Sequence, residues 1–123
     1  MTKKTHKDLD IWKNSIQLVS ELYKITETFP KSEIFGLSSQ VRRAAVSIPS
    51  NIAEGAARSH DKEFVQFLYI ALGSLSELET QLIISENLGF IHHTEYNHID
   101  EQLKVIRNQI LGLINFLNKK VTK

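Results

Sequence analysis

The stretch HHTEYNH, residues 92–98, gathers three histidines, a glutamate and a tyrosine within seven positions. Glu95 and His98 stand three apart, the spacing with which one helix offers a carboxylate and an imidazole to a di-iron centre. Such a centre takes a second Glu-x-x-His from another helix, with further glutamates aimed into the core. No second copy of the pair occurs, and this one falls at the start of a helix. The reading is a solvated, partly capping loop in which His92, His93, Glu95 and His98 hold no metal. Cysteine is absent, which removes disulfides, thiolate ligands and a thiol nucleophile. Nor is there a phosphate-cradling glycine loop, a serine elbow or a nucleophile with an evident base. Glu54 and Glu77 are the carboxylates best placed to pair, and Arg43 and Arg58 are nearer companions for them than each other. The chain reads as a non-enzyme with no catalytic residue, no metal and no cofactor.

Binding chemistry rests instead on the cations. The balance of 15 Lys and Arg against 14 Asp and Glu gives a net charge of +1, so overall charge argues for no nucleic-acid partner. Their distribution is more informative. Lys3, Lys4, Lys7, Lys13, Arg58, Lys62, Lys119, Lys120 and Lys123 lie at the chain start, at one turn and at the chain end. In an up-and-down bundle those three places share a pole. Glu86, the histidine loop, Glu95, Asp100 and Glu101 fall at the opposite one. A basic pole attracts phosphate backbones without reading bases, since lysines on chain ends position a strand and do not specify it. RNA or DNA is the partner this implies, through Lys3, Lys4, Lys7, Arg58, Lys62, Lys119 and Lys120. The competing reading is a protein-interaction scaffold with no nucleic-acid role, using the outer face of the third helix or the Arg42/Arg43 region. Terminal lysines then serve solubility.

Four segments with helical periodicity must position these residues, at roughly 10–29, 37–58, 61–88 and 94–119. Asp8 or Asp10 caps the first and Pro30 stops it. Gly89 is a left-handed cap for the third, and Thr94 an N-cap for the fourth. Trp12, Ile16, Val19 and Tyr23 make one stripe on the first helix; Leu18, Leu22, Ile25 and Phe29 make its neighbour. Helices of this length span roughly 30–40 Å. Their short connections favour an all-α, antiparallel up-down-up-down four-helix bundle, one domain over residues 1–123.

The third segment is apolar nearly all round. Val65, Tyr69 and Leu72 lie beyond the stripe that one bundle needs, which predicts a homo-oligomer interface there. The longest uncharged run, residues 64–76, is too short to cross a bilayer, and the basic N-terminus lacks the apolar run of a signal peptide. With no cysteine, the expectation is a cytoplasmic protein away from membranes.

The second helix carries Pro49 inside it, which predicts a kink that frees the carbonyl of Ala45. Gln40, Arg43, Ser47, Asn51 (or Ser50), Glu54 and Arg58 follow steps of three and four, so they share a face. Ser74, Glu77, Gln81 and Ser85 form a comparable row on the third helix. Two such rows would zip into a polar seam that fixes helix register, while Gly55 permits close backbone approach.

The runs FGLSSQVRRAAVSIPSNIAEGAARS and EFVQFLYIALGSLSELETQL resemble the bacterial-type four-helix-bundle family of proteins encoded by intervening sequences in 23S rRNA genes. The likeness begins at LDIWKNSIQLVSELYKITETFPKSEIFGL and reaches the last helix. Ser47 to Gly55, with Phe64, Gly73, Ser74 and Glu77 downstream, carry most of it. The resemblance implies an up-down bundle assembled as a homopentamer. Some members bear a ribosomal-protein label that follows gene location. A related branch, the accessory proteins of diversity-generating retroelements, is a basic pentamer that binds nucleic acid and a reverse transcriptase.

Overall fold

The computed structural model describes residues 5–121. Four α-helices account for most of them: α1 Asp10–Thr26, α2 Leu37–Ala56, α3 Asp61–Asn87 and α4 His93–Val121. Short 3-10 turns at His6–Asp8 and Lys31–Glu33 precede α1 and α2, and no strand occurs among the described residues.

Each helix turns one stripe inward. On α1 the buried positions are Ile11, Ser15, Leu18, Leu22 and Thr26, spaced four, three, four and four. The stripe predicted beside it is an outer one, because Ile16 and Tyr23 are each 40% exposed. Val41, Ala44, Ala45, Ile48 and Ile52 line the inner face of α2. Leu68, Ala71, Leu75, Leu78 and Leu82 do the same on α3, and Ile99, Leu103, Ile106, Ile110, Ile114 and Leu117 on α4. Val65 also belongs to this core at 8% exposure. Its prediction as an interface residue is therefore corrected: the early part of α3 is packed closely enough that a second inward row is covered. Leu72 is half-buried against the core, and Tyr69 alone of the three stands mostly in solvent.

The helix ends have local causes. Helix α1 stops at Thr26, three residues before the predicted end. The Thr26 hydroxyl bonds back to the Leu22 carbonyl at 2.7 Å, and Thr28 and Phe29 continue with tighter i-to-i−3 bonds. Asp8 caps the 3-10 turn rather than α1, accepting from the Thr5 N–H at 2.9 Å while Thr5 Oγ1 accepts from the Lys7 N–H. A carboxylate from the preceding turn caps α2, Glu33 Oε1 accepting from the Leu37 N–H at 3.0 Å. Gly89, with φ of 78°, ends α3 as predicted. Its N–H bonds the Glu86 carbonyl and the Phe90 N–H bonds that of Ser85, which is the Schellman closure. Helix α4 opens at His93, with the Glu95 carboxylate on the His92 N–H at 3.3 Å in place of the predicted Thr94 cap. Pro49 is buried within α2, which continues through it. The Asn51 amide goes to the Ser47 carbonyl at 2.8 Å, not to that of Ala45.

Neighbouring helices meet in a consistent sense. Ser47 meets Ser74, and Gly55 meets Phe64 and Phe67. Glu79 meets Arg107, and Asp61 meets Lys120. Asn14 meets Gln109, and Glu21 meets His98. In every pair the numbers fall on one helix as they rise on the other, which brings the start of α1, the end of α2, the start of α3 and the end of α4 to one pole. The α2–α3 contact is the most extensive and α1–α4 the slightest. Helix α3, with a mean hydropathy of 1.3 in its most apolar stretch, is long and apolar enough by composition to cross a membrane. That span exceeds the uncharged run alone, because helix length takes in the flanking residues.

Candidate nucleic-acid interface

The pole is assembled from four chain segments. Thr5, His6 and Lys7 face Ala56, Arg58 and Ser59 across a cleft of about 700 Å³. The Thr5–Asp8 capping pair folds the first wall, and the His6 ring lies edge-on to Trp12 at 5.2 Å. The second wall exists because α2 ends at Ala56, just after Gly55 brings its backbone against α3. Arg58 then turns over the ring of Phe67, 4.8 Å from its centroid, and meets Glu54 at 3.3 Å. Lys120 arrives from α4, 3.1 Å from Asp61 and 5.6 Å from the centre of the Phe116 ring.

Of the predicted phosphate-binding residues, Lys7, Arg58, Lys62, Lys119 and Lys120 are all exposed at this pole. Lys3 and Lys4 lie outside the described residues. Among the described residues Lys7 and Lys62 form no ion pair, whereas Arg58 and Lys120 each have an acidic neighbour. Exposed pairs of this sort are worth about 0–1 kcal/mol, so they leave the cations open to exchange a carboxylate for a phosphate.

The opposite end is acidic. Burial raises the pKa of Tyr96 above 10.0, and the carboxylates of Asp100, Glu86 and Glu79 push the same way. Lys104 is held protonated chiefly by its hydrogen bond to Asp100, with further attraction from Asp100 and Glu101. His93 lies 3.5 Å from Glu86 and His98 3.6 Å from Glu21 of α1. Glu95 and His98 thus address different partners, a backbone N–H and a neighbouring helix. Among the described residues no three His, Asp or Glu side chains converge as metal ligands would.

Only the middle of the predicted polar seam comes together. Ser47 and Ser74 share a 2.7 Å hydrogen bond between α2 and α3, and the Asn51 amide joins them at 2.9 Å from Ser47 Oγ. Gln40, Arg43 and Glu54 are exposed, and Glu77 turns along its own helix to Gln81. Gln81 and Ser85 are buried but bond along their own helix, so beyond Ser47 and Ser74 the two rows do not zip. Of the two adjacent arginines, Arg42 and not Arg43 bridges α2 to α1. Its Nε donates to Thr26 Oγ1 at 2.8 Å, and its guanidinium covers Tyr23 at 4.5 Å. The sequence signal for it was the adjacency of Arg42 to the inward Val41. His6, Thr5 and Ser59 carried no periodic signal at all, since they lie in turns.

The model of the 23S rRNA-intervening sequence protein family matches residues 7–112. The chain belongs to that family. A crystal structure at 1.70 Å of a protein of unknown function from the S23 ribosomal protein family of Bacteroides thetaiotaomicron VPI-5482 superposes with a TM-score of 0.79 at 22% identity. The alignment covers 85% of this chain and 95% of that one. At that identity the likeness establishes the fold alone. No curated protein matches the chain. The matched region holds both walls of the cleft from Lys7 onward, whereas Lys119 and Lys120 lie beyond it.

Proposed function

We propose that this is a non-enzymatic, cytoplasmic nucleic-acid-binding accessory protein that engages RNA through its basic pole without reading sequence. The observation that carries the reading is the convergence of Lys7, Arg58, Lys62, Lys119 and Lys120 from four chain segments onto one exposed end. Each is a phosphate-seeking group, and each is exposed to solvent. The protein would act as a homo-oligomer, a homopentamer by family resemblance, so that the pole is repeated around a ring and its potential multiplied. Exposed apolar side chains support self-association, notably Tyr69 at 55%, Ile70 at 51% and Phe116 at 59%.

The test is a titration with labelled structured RNA, single-stranded RNA and duplex DNA at about 50 and 150 mM salt. Binding that weakens steeply with salt supports the reading. No binding at the lower salt overturns it in favour of a protein scaffold. The observation favouring a scaffold is Phe35, 97% exposed on the connector between α1 and α2 beside Ile34 at 54%.

A further inference from the structure

The cleft at the basic pole is more than a cluster of surface lysines. At about 700 Å³ it falls within the roughly 300–1,000 Å³ of small-molecule sites. No carboxylate lines it; its polar lining is Lys7, Arg58, His6 and the hydroxyls of Thr5 and Ser59. The nearby acids are engaged elsewhere, Asp8 on the Thr5 N–H and Asp61 on Lys120. Glu54 reaches Arg58 through one oxygen at 3.3 Å, a long and solvent-exposed contact that marks where an anion approaches the guanidinium. Two of the lining side chains are held by aromatic rings, Arg58 by Phe67 and His6 by Trp12. Donors fixed in this way lose less rotamer freedom when a ligand arrives. Ala56 and Ala57 keep that wall low.

Concavity selects among phosphates. A phosphodiester within a strand is tethered on both sides and lies along a surface. A phosphomonoester projects from a chain end with three free oxygens and a charge of about −1.5 to −2, and it fits a recess. We infer that the cleft between the first 3-10 turn and the α2–α3 turn captures a terminal phosphomonoester, that of a nucleic-acid strand end or of a mononucleotide. This rests on the reading of the pole as a phosphate-binding surface. Arg58 supplies the fork, Lys7 the point charge, and Thr5 and Ser59 the neutral hydrogen bonds.

Full-length protein would be titrated with one RNA sequence bearing a 5′-phosphate, a 3′-phosphate or hydroxyls at both ends. A nucleoside 5′-monophosphate and its nucleoside would then be used as competitors. The expected result is about tenfold tighter binding of a phosphorylated strand, a difference of about 1.4 kcal/mol. That preference should disappear in Arg58→Gln and shrink in Arg58→Lys, which keeps the charge and loses the fork, with helical circular dichroism unchanged in both. Lys62→Gln, outside the cleft, should weaken all three strands equally. A preference for only one phosphorylated end supports the cleft and names its strand polarity. Equal affinity for all three strands overturns the inference and leaves the basic pole standing. Direct binding of the nucleoside 5′-monophosphate and not of its nucleoside, read by calorimetry, with no strand binding supports the cleft and sinks the nucleic-acid reading. No binding of any probe overturns both.

Discussion

Gly55 on α2 lies so near Phe67 on α3 that a β-carbon at position 55 would stand 2.7 Å from the Phe67 Cβ and 2.9 Å from Phe64 Cδ1. The obstructing Phe67 atom is anchored to its own backbone, so it cannot swing away as a flexible chain end would. Gly55→Ala should therefore destabilise by about 1–3 kcal/mol despite the better helix propensity of alanine. Gly112 on α4 has nothing within 4 Å of the same construction, and Gly112→Ala should stabilise by up to about 1 kcal/mol. Urea unfolding of the two variants gives the contrast directly. A Gly55→Ala variant as stable as the wild type would contradict the close approach.

Ser47 and Ser74 form the inter-helix hydrogen bond that survives from the predicted polar rows. A double-mutant cycle with Ser47→Ala and Ser74→Ala should return a coupling of about 0.5–1.5 kcal/mol. Glu54→Gln, at an exposed carboxylate, should change stability by less than about 0.5 kcal/mol. A larger loss at Glu54 than at Ser47 would restore the extended seam.

Tyr96 should release its proton only above 10.0, because burial and the surrounding carboxylates disfavour the phenolate. The folded phenol holds its proton more tightly than the unfolded one. Its contribution to stability is thus complete below pH 10.0 and is lost as pH rises through the folded-state value. The difference in phenolate absorbance between the wild type and Tyr96→Phe, followed against pH, isolates this group from Tyr23 and Tyr69. A midpoint at or below 10.0 would show that the site is open to water.

Lys62→Glu and Lys7→Glu change exposed side chains that form no ion pair among the described residues. Each should weaken RNA binding and reduce the slope of log K against log salt by about 1. Unfolding should be almost unaffected. Anisotropy at three salt concentrations separates this from a partner-protein site, for which the slope would not move.

Tyr69→Glu should shift the protein towards a smaller species in sedimentation velocity, since the side chain is 55% exposed amid neighbouring apolar surface. Unchanged assembly would move the interface away from α3.

The four helices were legible because their inward residues repeat at the helical period over long stretches, and Leu18, Ile48, Leu75 and Ile106 leave little choice of face. Gly89 was legible for a different reason: a positive φ is cheap for glycine and costly for most other residues. Helix ends were less so. Thr26 ends α1 by bonding its own backbone, a local event that hydrophobic spacing does not register. Buried Ser15 and Ser85 behave alike, their hydroxyls satisfied by the carbonyls of Trp12 and Gln81. Polarity therefore said nothing about which side of the helix they occupied. Val65 was misassigned because its burial depends on how closely the neighbouring helices cover the early part of α3, which the spacing along α3 itself does not register. The pole's lysines could be placed from topology alone, but the cleft could not, since its walls are turns whose geometry rests on single hydrogen bonds.

The contacts around the bundle are unequal, firm from α1 to α2, α2 to α3 and α3 to α4, and slight where α1 meets α4. A groove there is lined by Glu21, Ile25, Thr94 and His98, so the closing edge is open to solvent. Such a bundle has a natural place to open. Amide hydrogens on the inner faces of α2 and α3 should outlast those of α1 in exchange with heavy water, because opening the α1–α4 edge leaves the central pair intact.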